Sequence, residues 1–190
     1  MYVLSIYAYN IGINIEAFQF MKSIASPMLN SLMAALSQSF LVVLPLIALY
    51  MFLKKDRNVY VFSISVILFY IVNDTLKYIV REPRPCNTPE LSWINSVGCE
   101  TNYSFPSSHA AVLTGLPAFM GKFKYVRAVY LIWLALILFG RIYLGEHYLT
   151  DVIAGMLLST VMAYLIYKFR NRINDFAGKI IKKVIPQLYV

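Results

Sequence analysis

The stretch AVYLIWLALILFGRIYLGEHYLTDVIAGMLLSTVMAYLIY, residues 128–167, decides the fold that the sequence predicts. Two apolar runs, 128–139 and 152–167, flank a short segment with four ionisable side chains: Arg141, Glu146, His147 and Asp151. A membrane-spanning α-helix needs about 20 mainly apolar residues, and charged groups at membrane depth are usually functional. The pattern therefore predicts two membrane helices joined at one membrane face by a segment that carries chemistry.

The whole chain has the composition of an integral membrane protein. Of its 190 residues, 59% are hydrophobic and only 14% are charged, and the mean hydropathy is +0.64. We therefore predict an all-α, membrane-embedded helical bundle of about five to six transmembrane helices, which forms one domain over residues 1–190. Five runs are candidates for these helices: 31–53, 58–80, 106–123, 126–144 and 152–168.

The two ends of the chain have patterns of their own. Residues 1–28 are apolar but interrupted by polar side chains, which indicates an interfacial helix, with an imperfect sixth span as the alternative. Their first thirteen residues contain no Lys or Arg, which argues against a cleaved signal peptide. The segment 169–190 is predicted to form a basic, amphipathic helix at the membrane surface.

The basic residues are distributed unevenly between the two membrane faces. With five spans, the connections after the first and third spans and the C-terminal tail lie on one face, and they hold twelve of the seventeen Lys and Arg residues. We expect this face, with the C-terminus, to be cytoplasmic in a multi-pass protein of the cell membrane. Anionic lipid headgroups then explain the net charge of +8, and no nucleic-acid partner is expected.

Three charged clusters lie on the opposite, outer face. In KYIVREPRP (77–85), two prolines are expected to end the second span and to hold Arg84 in a stiff turn near Lys77. In FPSSHAAVLTG (105–115), Pro-Ser-Ser before an apolar run predicts a helix N-terminus, whose free N–H groups favour an anion. This terminus also carries three polar side chains: Ser107, Ser108 and His109.

The third cluster lies within GRIYLGEHYLTDVIAG (140–155). If residues 147–151 are helical, His147 and Asp151 lie on one helix face at positions i and i+4. An aspartate that accepts one ring N–H leaves the other ring nitrogen free as a base, nucleophile or ligand. Asp151 has the alternative role of capping the fifth span, and Arg141 closes the span before it.

Together these clusters predict a site for phosphate or a similar oxyanion with two histidines beside it. Snorkelling anchors remain the alternative reading of the outer basic residues. A metal centre of two histidines and one aspartate is disfavoured because Lys77, Arg84 and Arg141 would surround and repel the cation. No metal or other cofactor is expected.

The two cysteines, Cys86 and Cys99, lie in the same outer loop. An oxidising compartment would let them form a disulfide that closes a loop of about 14 residues and stabilises the fold by about 3 kcal/mol at most. Two free thiols are the alternative.

The three clusters, in this order and spacing, resemble the signature motifs of the type-2 phosphatidic acid phosphatase family. The matching residues are Lys77-x6-Arg84-Pro85, Pro106-Ser107-Ser108-His109 and Arg141-x5-His147-x3-Asp151. Two positions differ from the family, since Ser108 stands where it usually has Gly and Gly140 where it usually has Ser. The change at 108 leaves the backbone N–H in place, whereas the lost hydroxyl at 140 is expected to affect rate or packing.

The resemblance implies a metal-independent phosphohydrolase that works through a phosphohistidine. It assigns the attacking nitrogen to His147, the orientation of that ring to Asp151, and protonation of the leaving oxygen to His109. The phosphate oxygens are expected to be held by basic and hydroxyl groups and by backbone N–H groups near 107–109. The side chains in this role are Lys77, Arg84, Ser107, Ser108 and Arg141.

The substrate is expected to be a membrane lipid phosphate that reaches the site laterally between helices. A polyprenyl diphosphate is the first expectation, with phosphatidylglycerol phosphate and phosphatidic acid as alternatives, and lipid phosphotransfer to an acceptor hydroxyl as another. Anion transport is disfavoured because the ionisable groups cluster at one end of the spans, and membrane embedding disfavours haloperoxidase activity. The oligomeric state is not determined by these patterns.

Overall fold

Seven α-helices occur in the part of the chain that the computed structural model describes, residues 11–87 and 99–184, and this part contains no strand. In chain order they are α1 (Gly12–Ser23), α2 (Pro27–Gln38), α3 (Phe40–Leu53), α4 (Asn58–Val80), α5 (Ser108–Leu113), α6 (Lys124–Tyr143) and α7 (Leu149–Val184). Two 3-10 turns, Pro85–Asn87 and Leu116–Phe119, complete the architecture. The all-α prediction is confirmed.

Three segments of the described chain are helical, long and apolar enough to cross a bilayer: 58–87, 124–143 and 149–184. The helices α2 and α3 form a fourth candidate as a pair bent by 41°. The bend lies at Ser39, whose hydroxyl donates to the carbonyl of Leu36 at 2.6 Å and accepts the indole N–H of Trp133 at 2.9 Å. The predicted run 31–53 is therefore a broken helix. By length and composition, the described residues hold three or four candidate spans, and the predicted number of five to six is not confirmed.

The predicted span 106–123 does not form one continuous helix. Its first part is the six-residue α5, and the chain then breaks at Gly115, whose N–H donates to the hydroxyl of Ser159 at 2.8 Å instead of to a helical carbonyl. A Cβ at Gly115 would lie 2.7 Å from Ala163, so only glycine allows this approach to α7. Pro117 then lacks the N–H that a continued helix needs. The segment is buried inside the bundle between α4 and α7.

The outward faces of the long helices are apolar, as lipid contact requires. Large side chains such as Leu41 on α3, Ile67 on α4, Ile132 on α6 and Leu157 on α7 are more than half exposed. The interior is filled by residues that are almost completely buried, including Met51, Phe69, Leu113, Leu116 and Ile137. Since apolar surface faces both the interior and the surroundings, the chain is an integral membrane protein.

The helix α7 continues past the predicted end of the fifth span. It runs without a break to Val184, so residues 169–184 are an extension of α7 and not a separate tail helix. This extension packs on the start of α4, where Asn174 accepts the backbone N–H of Val61 at 3.1 Å. Asp175 also pairs with Arg57 at 2.7 Å. Residues 185–190 of the predicted tail lie outside the described part.

The first described helix, α1, lies at the other end of the bundle. Asn14 donates to the Thr150 hydroxyl at 3.0 Å and accepts the Thr150 N–H at 3.1 Å, next to the start of α7. With twelve residues, α1 is about 18 Å long and cannot cross a bilayer by itself. Residues 1–10 of the predicted N-terminal segment lie outside the described part.

Candidate active site

Arg84 is held at the centre of the cluster that forms at this end of the bundle. The helix α4 ends at Arg81, which adopts a left-handed backbone conformation with φ of 56°, and the proline-rich turn then directs Arg84 inward. Its side chain is completely buried. The Arg84 guanidinium donates to Glu100 at 2.6 Å, to the Glu146 carboxylate at 3.1 Å and to the Asn102 side chain. These partners hold the guanidinium plane in one orientation.

A second arginine, Arg141, comes from the last turn of α6 and shares a partner with Arg84. Its Nη2 donates to Oε1 of Glu100 at 2.8 Å, and Oε2 of Glu100 accepts from Arg84. The carboxylate of Glu146 lies 3.6 Å from Arg141. The carboxylate of Glu100 therefore bridges the guanidinium groups of Arg84 and Arg141. Burial alone would raise the pKa of Glu100, but the charges of Arg141 and Arg84 outweigh this effect and lower it.

Lys77 approaches the same cluster from the last turn of α4 and is almost fully buried. Its ammonium group donates to the backbone carbonyls of Tyr103 at 2.5 Å and Ser104 at 3.0 Å. The lysine therefore anchors the loop that leads to α5. Its positive charge also helps to lower the pKa of His147.

His147 is buried between Arg84 on one side of its ring and Ser104 with Asp151 on the other. Its Nε2 lies 3.2 Å from Nη1 of Arg84, while Nδ1 lies 3.4 Å from the Ser104 hydroxyl and 3.5 Å from Oδ2 of Asp151. Burial, followed by the charges of Arg141 and the other cations, lowers the pKa of His147 well below the usual 6.5. The ring is therefore neutral at physiological pH, and Nε2 faces the cationic groups.

Asp151 is fixed by several groups behind His147. Its Oδ2 accepts the hydroxyl of Ser104 and the backbone N–H of Tyr148, the latter at 2.9 Å. Tyr148 directly precedes α7 and Asp151 is its third residue, so this contact resembles the second half of a capping box. His147 lies before the helix, and the predicted helical i, i+4 relation is wrong for the backbone. The two side chains are nevertheless adjacent, and Asp151 both caps the helix and supports the histidine.

The second histidine, His109, lies in the first turn of α5. Its Nε2 lies 3.1 Å from the carbonyl oxygen of Ser37 in α2, and Phe40 packs edge-on against the ring at 4.8 Å between centroids. Burial and the charge of Arg141 lower the pKa of His109 from 6.5 to about 3. A proton on Nε2 donates to Ser37, so Nδ1 keeps its lone pair. That atom is buried without a hydrogen-bond partner in the described part of the chain.

The serines at the start of α5 have different surroundings. The backbone N–H of Ser107 donates to the carbonyl of Asp151 at 3.1 Å, so of the N–H groups expected to bind an anion near 107–109, this one already has a partner. The Ser107 hydroxyl is buried and, within the described chain, has no hydrogen-bond partner. The Ser108 hydroxyl accepts from the amide of Asn73 at 3.0 Å. Both hydroxyls therefore still have a proton to donate to a ligand.

The two cysteines, Cys86 and Cys99, form a disulfide with a Cα–Cα distance of 5.8 Å. Cys86 also donates its N–H to the carbonyl of Gly145 at 3.0 Å, which joins the turn after α4 to the turn after α6. The Cys sulfurs and a Glu146 oxygen lie within 4.8 Å of one another. Because both sulfurs are in the disulfide, they provide no thiolate ligands, and this group does not fit a metal ion.

Gly140, where the family usually has Ser, faces α2. A Cβ at this position would lie 3.4 Å from Met33 and 3.6 Å from the hydroxyl of Ser37, which are ordinary contact distances. The absent side chain therefore leaves a small space beside the residue that contacts His109.

An apolar cavity of about 270 Å³ lies beside His109, between α3, α4 and α5. Its walls include Phe40, Leu44, Val66 and Tyr70, and it reaches Ser108 as well as the histidine. Such a cavity can hold part of a hydrocarbon chain next to the polar cluster.

The structure thus brings Arg84, Arg141, His147 and Asp151 into one cluster, with Lys77 and His109 at its edges. Four further residues complete the cluster, and the sequence patterns assigned none of them to the site: Glu100, Asn102, Ser104 and Glu146. Three of them come from the loop before α5, where no spacing relates them to Arg84. Glu146 stood out in the sequence as one of the charged residues between two apolar runs, but no pattern indicated that it contacts Arg84.

Comparisons with known proteins agree with this geometry. The profile of the PAP2 superfamily matches residues 58–175, which include all three charged clusters. The undecaprenyl-diphosphatase of Sulfolobus acidocaldarius is 29% identical over 161 residues, covering 82% of this chain and 78% of that protein. Mouse sphingosine-1-phosphate phosphatase 1 is 34% identical over 122 residues, covering 60% of this chain but only 28% of the mouse protein.

A solved structure shares the fold. The transmembrane PAP2-type phosphatidylglycerolphosphate phosphatase of Bacillus subtilis superposes with a TM-score of 0.67, covering 88% of this chain and 90% of that one. Sequence identity between them is 23%, so the likeness concerns the arrangement of helices.

Proposed function

The chain belongs to the PAP2 superfamily and is a membrane phosphatase. We propose that it hydrolyses a lipid phosphate or diphosphate through a phosphohistidine on His147, without a metal ion, and that its substrate is a polyprenyl diphosphate. Two of the alternatives are phosphatidylglycerol phosphate and phosphatidic acid. Transfer of the phosphoryl group to a lipid hydroxyl, in place of water, is the other.

One observation carries this proposal: Nε2 of His147 lies 3.2 Å from Nη1 of Arg84, a donor that pairs with an unprotonated nitrogen, while Nδ1 faces Ser104 and Asp151. A phosphate held by the guanidinium groups would place its phosphorus next to a nucleophilic lone pair. The carboxylate behind the ring then stabilises the positive charge that develops when Nε2 forms a bond to phosphorus.

The remaining residues have roles that follow from their charge and position. Arg84 and Arg141 hold phosphate oxygens, and the Ser107 hydroxyl is a further donor. Lys77 fixes the loop at 103–104 and adds positive charge. As Nε2 attacks, the bond from phosphorus to the leaving oxygen breaks, and that oxygen takes up a proton. Water then cleaves the phosphohistidine, which releases inorganic phosphate and restores the neutral ring.

His109 is proposed as the source of the proton for the leaving oxygen. In the free protein, burial and Arg141 keep the pKa of His109 low, so this ring is neutral. A doubly charged phosphate next to it opposes these effects, because a nearby negative charge favours the protonated form. Substrate binding is therefore expected to be coupled to proton uptake at Nδ1, the ring nitrogen without a hydrogen-bond partner in the described chain.

A lipid substrate and an outer-face site are supported by two further features. The apolar cavity between α3, α4 and α5 ends at His109, so a hydrocarbon chain can enter from the bilayer while its headgroup reaches the arginines. At the opposite end of the bundle lie the Lys54, Lys122 and tail regions, which are rich in basic residues. By the positive-inside rule, that end is cytoplasmic and the site is extracytoplasmic.

The test uses purified wild-type protein and His147→Ala in detergent with a chelator present. Release of inorganic phosphate is measured from a polyprenyl diphosphate, phosphatidylglycerol phosphate and phosphatidic acid, and folding of each variant is checked by thermal unfolding. We expect release from the polyprenyl diphosphate, which is lost in His147→Ala and unaffected by chelator. Loss of release on chelation would overturn the metal-free mechanism, and turnover in folded His147→Ala would exclude this nucleophile.

The same preparation separates hydrolysis from phosphotransfer. A substrate labelled in its terminal phosphate is incubated with candidate acceptor alcohols, and the products are resolved. Labelled inorganic phosphate alone supports hydrolysis, whereas a labelled phosphate ester of the acceptor supports the alternative. Brief reaction followed by denaturation at alkaline pH is expected to retain label on the wild-type protein but not on His147→Ala.

A further inference from the structure

We propose that Glu100 is a specificity residue: its carboxylate occupies the phosphate-binding arginines in the free protein, and only a doubly charged phosphate group displaces it efficiently. Singly charged phosphodiesters, which are the headgroups of most anionic membrane lipids, are thereby kept out of the site. This inference rests on the proposed function, since it assigns Arg84 and Arg141 to the phosphate.

The contacts of Glu100 are those expected of a bound oxyanion. Its Oε2 accepts from Arg84 at 2.6 Å and its Oε1 accepts from Arg141 at 2.8 Å, so each oxygen satisfies a different guanidinium. A phosphate that bridged the same two arginines would need the same two positions. The carboxylate and a phosphate therefore cannot occupy the pair at the same time.

Glu100 is held near the arginines but is free to leave them. The neighbouring Cys99 is joined by the disulfide to Cys86, which lies two residues after Arg84. This covalent link keeps Glu100 near the site even when its carboxylate has left the arginines. Its side chain is 41% exposed, whereas the Arg84 side chain is 0% exposed, so Glu100 is the partner that can swing towards solvent.

The net charge of an incoming phosphate group determines whether it displaces the Glu100 carboxylate from the two arginines. A phosphodiester carries one negative charge, so replacing the carboxylate with it leaves the charge between the arginines unchanged. A phosphate monoester or terminal diphosphate adds a further negative charge to the same pair of cations. The Glu146 carboxylate lies 3.1 Å from Arg84 and 3.6 Å from Arg141. It therefore neutralises part of the arginines' positive charge while Glu100 is displaced.

The test compares wild-type protein with Glu100→Gln, which keeps the shape of the side chain and removes its charge. Glu16→Gln is the matched control, because Glu16 is exposed on α1. Inorganic phosphate at about pH 8, where it is mainly a dianion, and diethyl phosphate, a monoanion, are the probes. Each is measured as a competitive inhibitor of phosphate release and, independently of catalysis, as a stabiliser in thermal unfolding in detergent.

In the wild type and in Glu16→Gln, inorganic phosphate is expected to bind much more tightly than diethyl phosphate. In Glu100→Gln, the inhibition constant of diethyl phosphate is expected to fall about tenfold or more, because the lost interaction is a charge-assisted hydrogen bond. An inhibition constant of diethyl phosphate that is unchanged between wild type and Glu100→Gln would overturn the proposal while leaving the phosphatase assignment intact. If no lipid phosphate is hydrolysed, the proposed function fails, and the unfolding measurement still decides the role of Glu100.

Discussion

The hydroxyl of Ser104 lies between His147 and Asp151: it donates to Oδ2 of Asp151 and is 3.4 Å from Nδ1 of His147. The direct distance between the histidine and the aspartate is 3.5 Å, longer than an ordinary hydrogen bond. Ser104 is thus placed to fix the orientation of both side chains, and Lys77 holds its carbonyl at 3.0 Å. A loop residue therefore links the basic cluster to the proposed nucleophile.

Replacing Ser104 with alanine is expected to lower kcat about tenfold to hundredfold with little change in KM, because a group that orients an active-site histidine is removed. Steady-state kinetics on the preferred lipid substrate check this. Ser104→Thr keeps the hydroxyl and is expected to recover part of the rate. Ser23→Ala removes an exposed hydroxyl on α1 and serves as the control. A change confined to KM would contradict the positioning role.

Arg84→Lys is expected to lower kcat/KM about 100-fold or more, since a lysine cannot reproduce the fork of donors that meets several acceptors at once. The measurement is phosphate release over a range of substrate concentrations. Arg81→Lys is the matched control, because Arg81 is exposed and donates to the carbonyl of Tyr78 in its own helix. Similar kinetics for the two variants would show that Arg84 does not hold the phosphate.

The pH dependence of kcat, which reports ionisations in the enzyme–substrate complex, should reflect the neutral state of His147, whereas kcat/KM also contains the second ionisation of the free substrate phosphate at about pH 6. Burial and the neighbouring cations lower the pKa of this ring, so it loses its proton far below the ordinary value of 6.5. The nucleophile is therefore available throughout the neutral range, and activity is lost only when acid protonates Nε2. We expect the acidic limb of the profile to lie well below pH 6.5. A limb at or above pH 6.5 would contradict this environment.

Gly155→Ala is expected to destabilise the fold by about 1–3 kcal/mol through overpacking. A Cβ at this position would lie 2.8 Å from both the Cβ of Ala110 and the carbonyl oxygen of Ser107, so α5 must move away from α7. Thermal unfolding in detergent measures the effect. Gly121→Ala is the control, since a Cβ there meets nothing within 4 Å. Because α5 carries His109, activity is expected to fall together with stability.

The polar contacts of the site were harder to predict than its motifs. The spacing of Arg84, Arg141 and His147 was readable because each residue follows or ends a recognisable apolar run. Glu100 and Ser104 lie in a loop whose sequence has no periodicity, so their partners depend on how that loop folds against α4 and α7. The same applies to the broken helix at 106–123, where the contact of Gly115 with Ser159 overrides an apolar pattern that predicts a continuous span.

The sequence by itself determined the membrane class, the direction of the charge bias and the three clusters, because apolar run length and charge position act locally along the chain. Tertiary structure alone decided that Glu100 bridges Arg84 and Arg141 and that Nε2 of His147 faces Arg84. These relations join residues 16 to 63 positions apart, and they depend on which helices pack together. The physical reason is that a buried charge is stable only when it is paired or hydrogen-bonded. Its partners can be any residues that the fold brings close, whatever their separation along the chain.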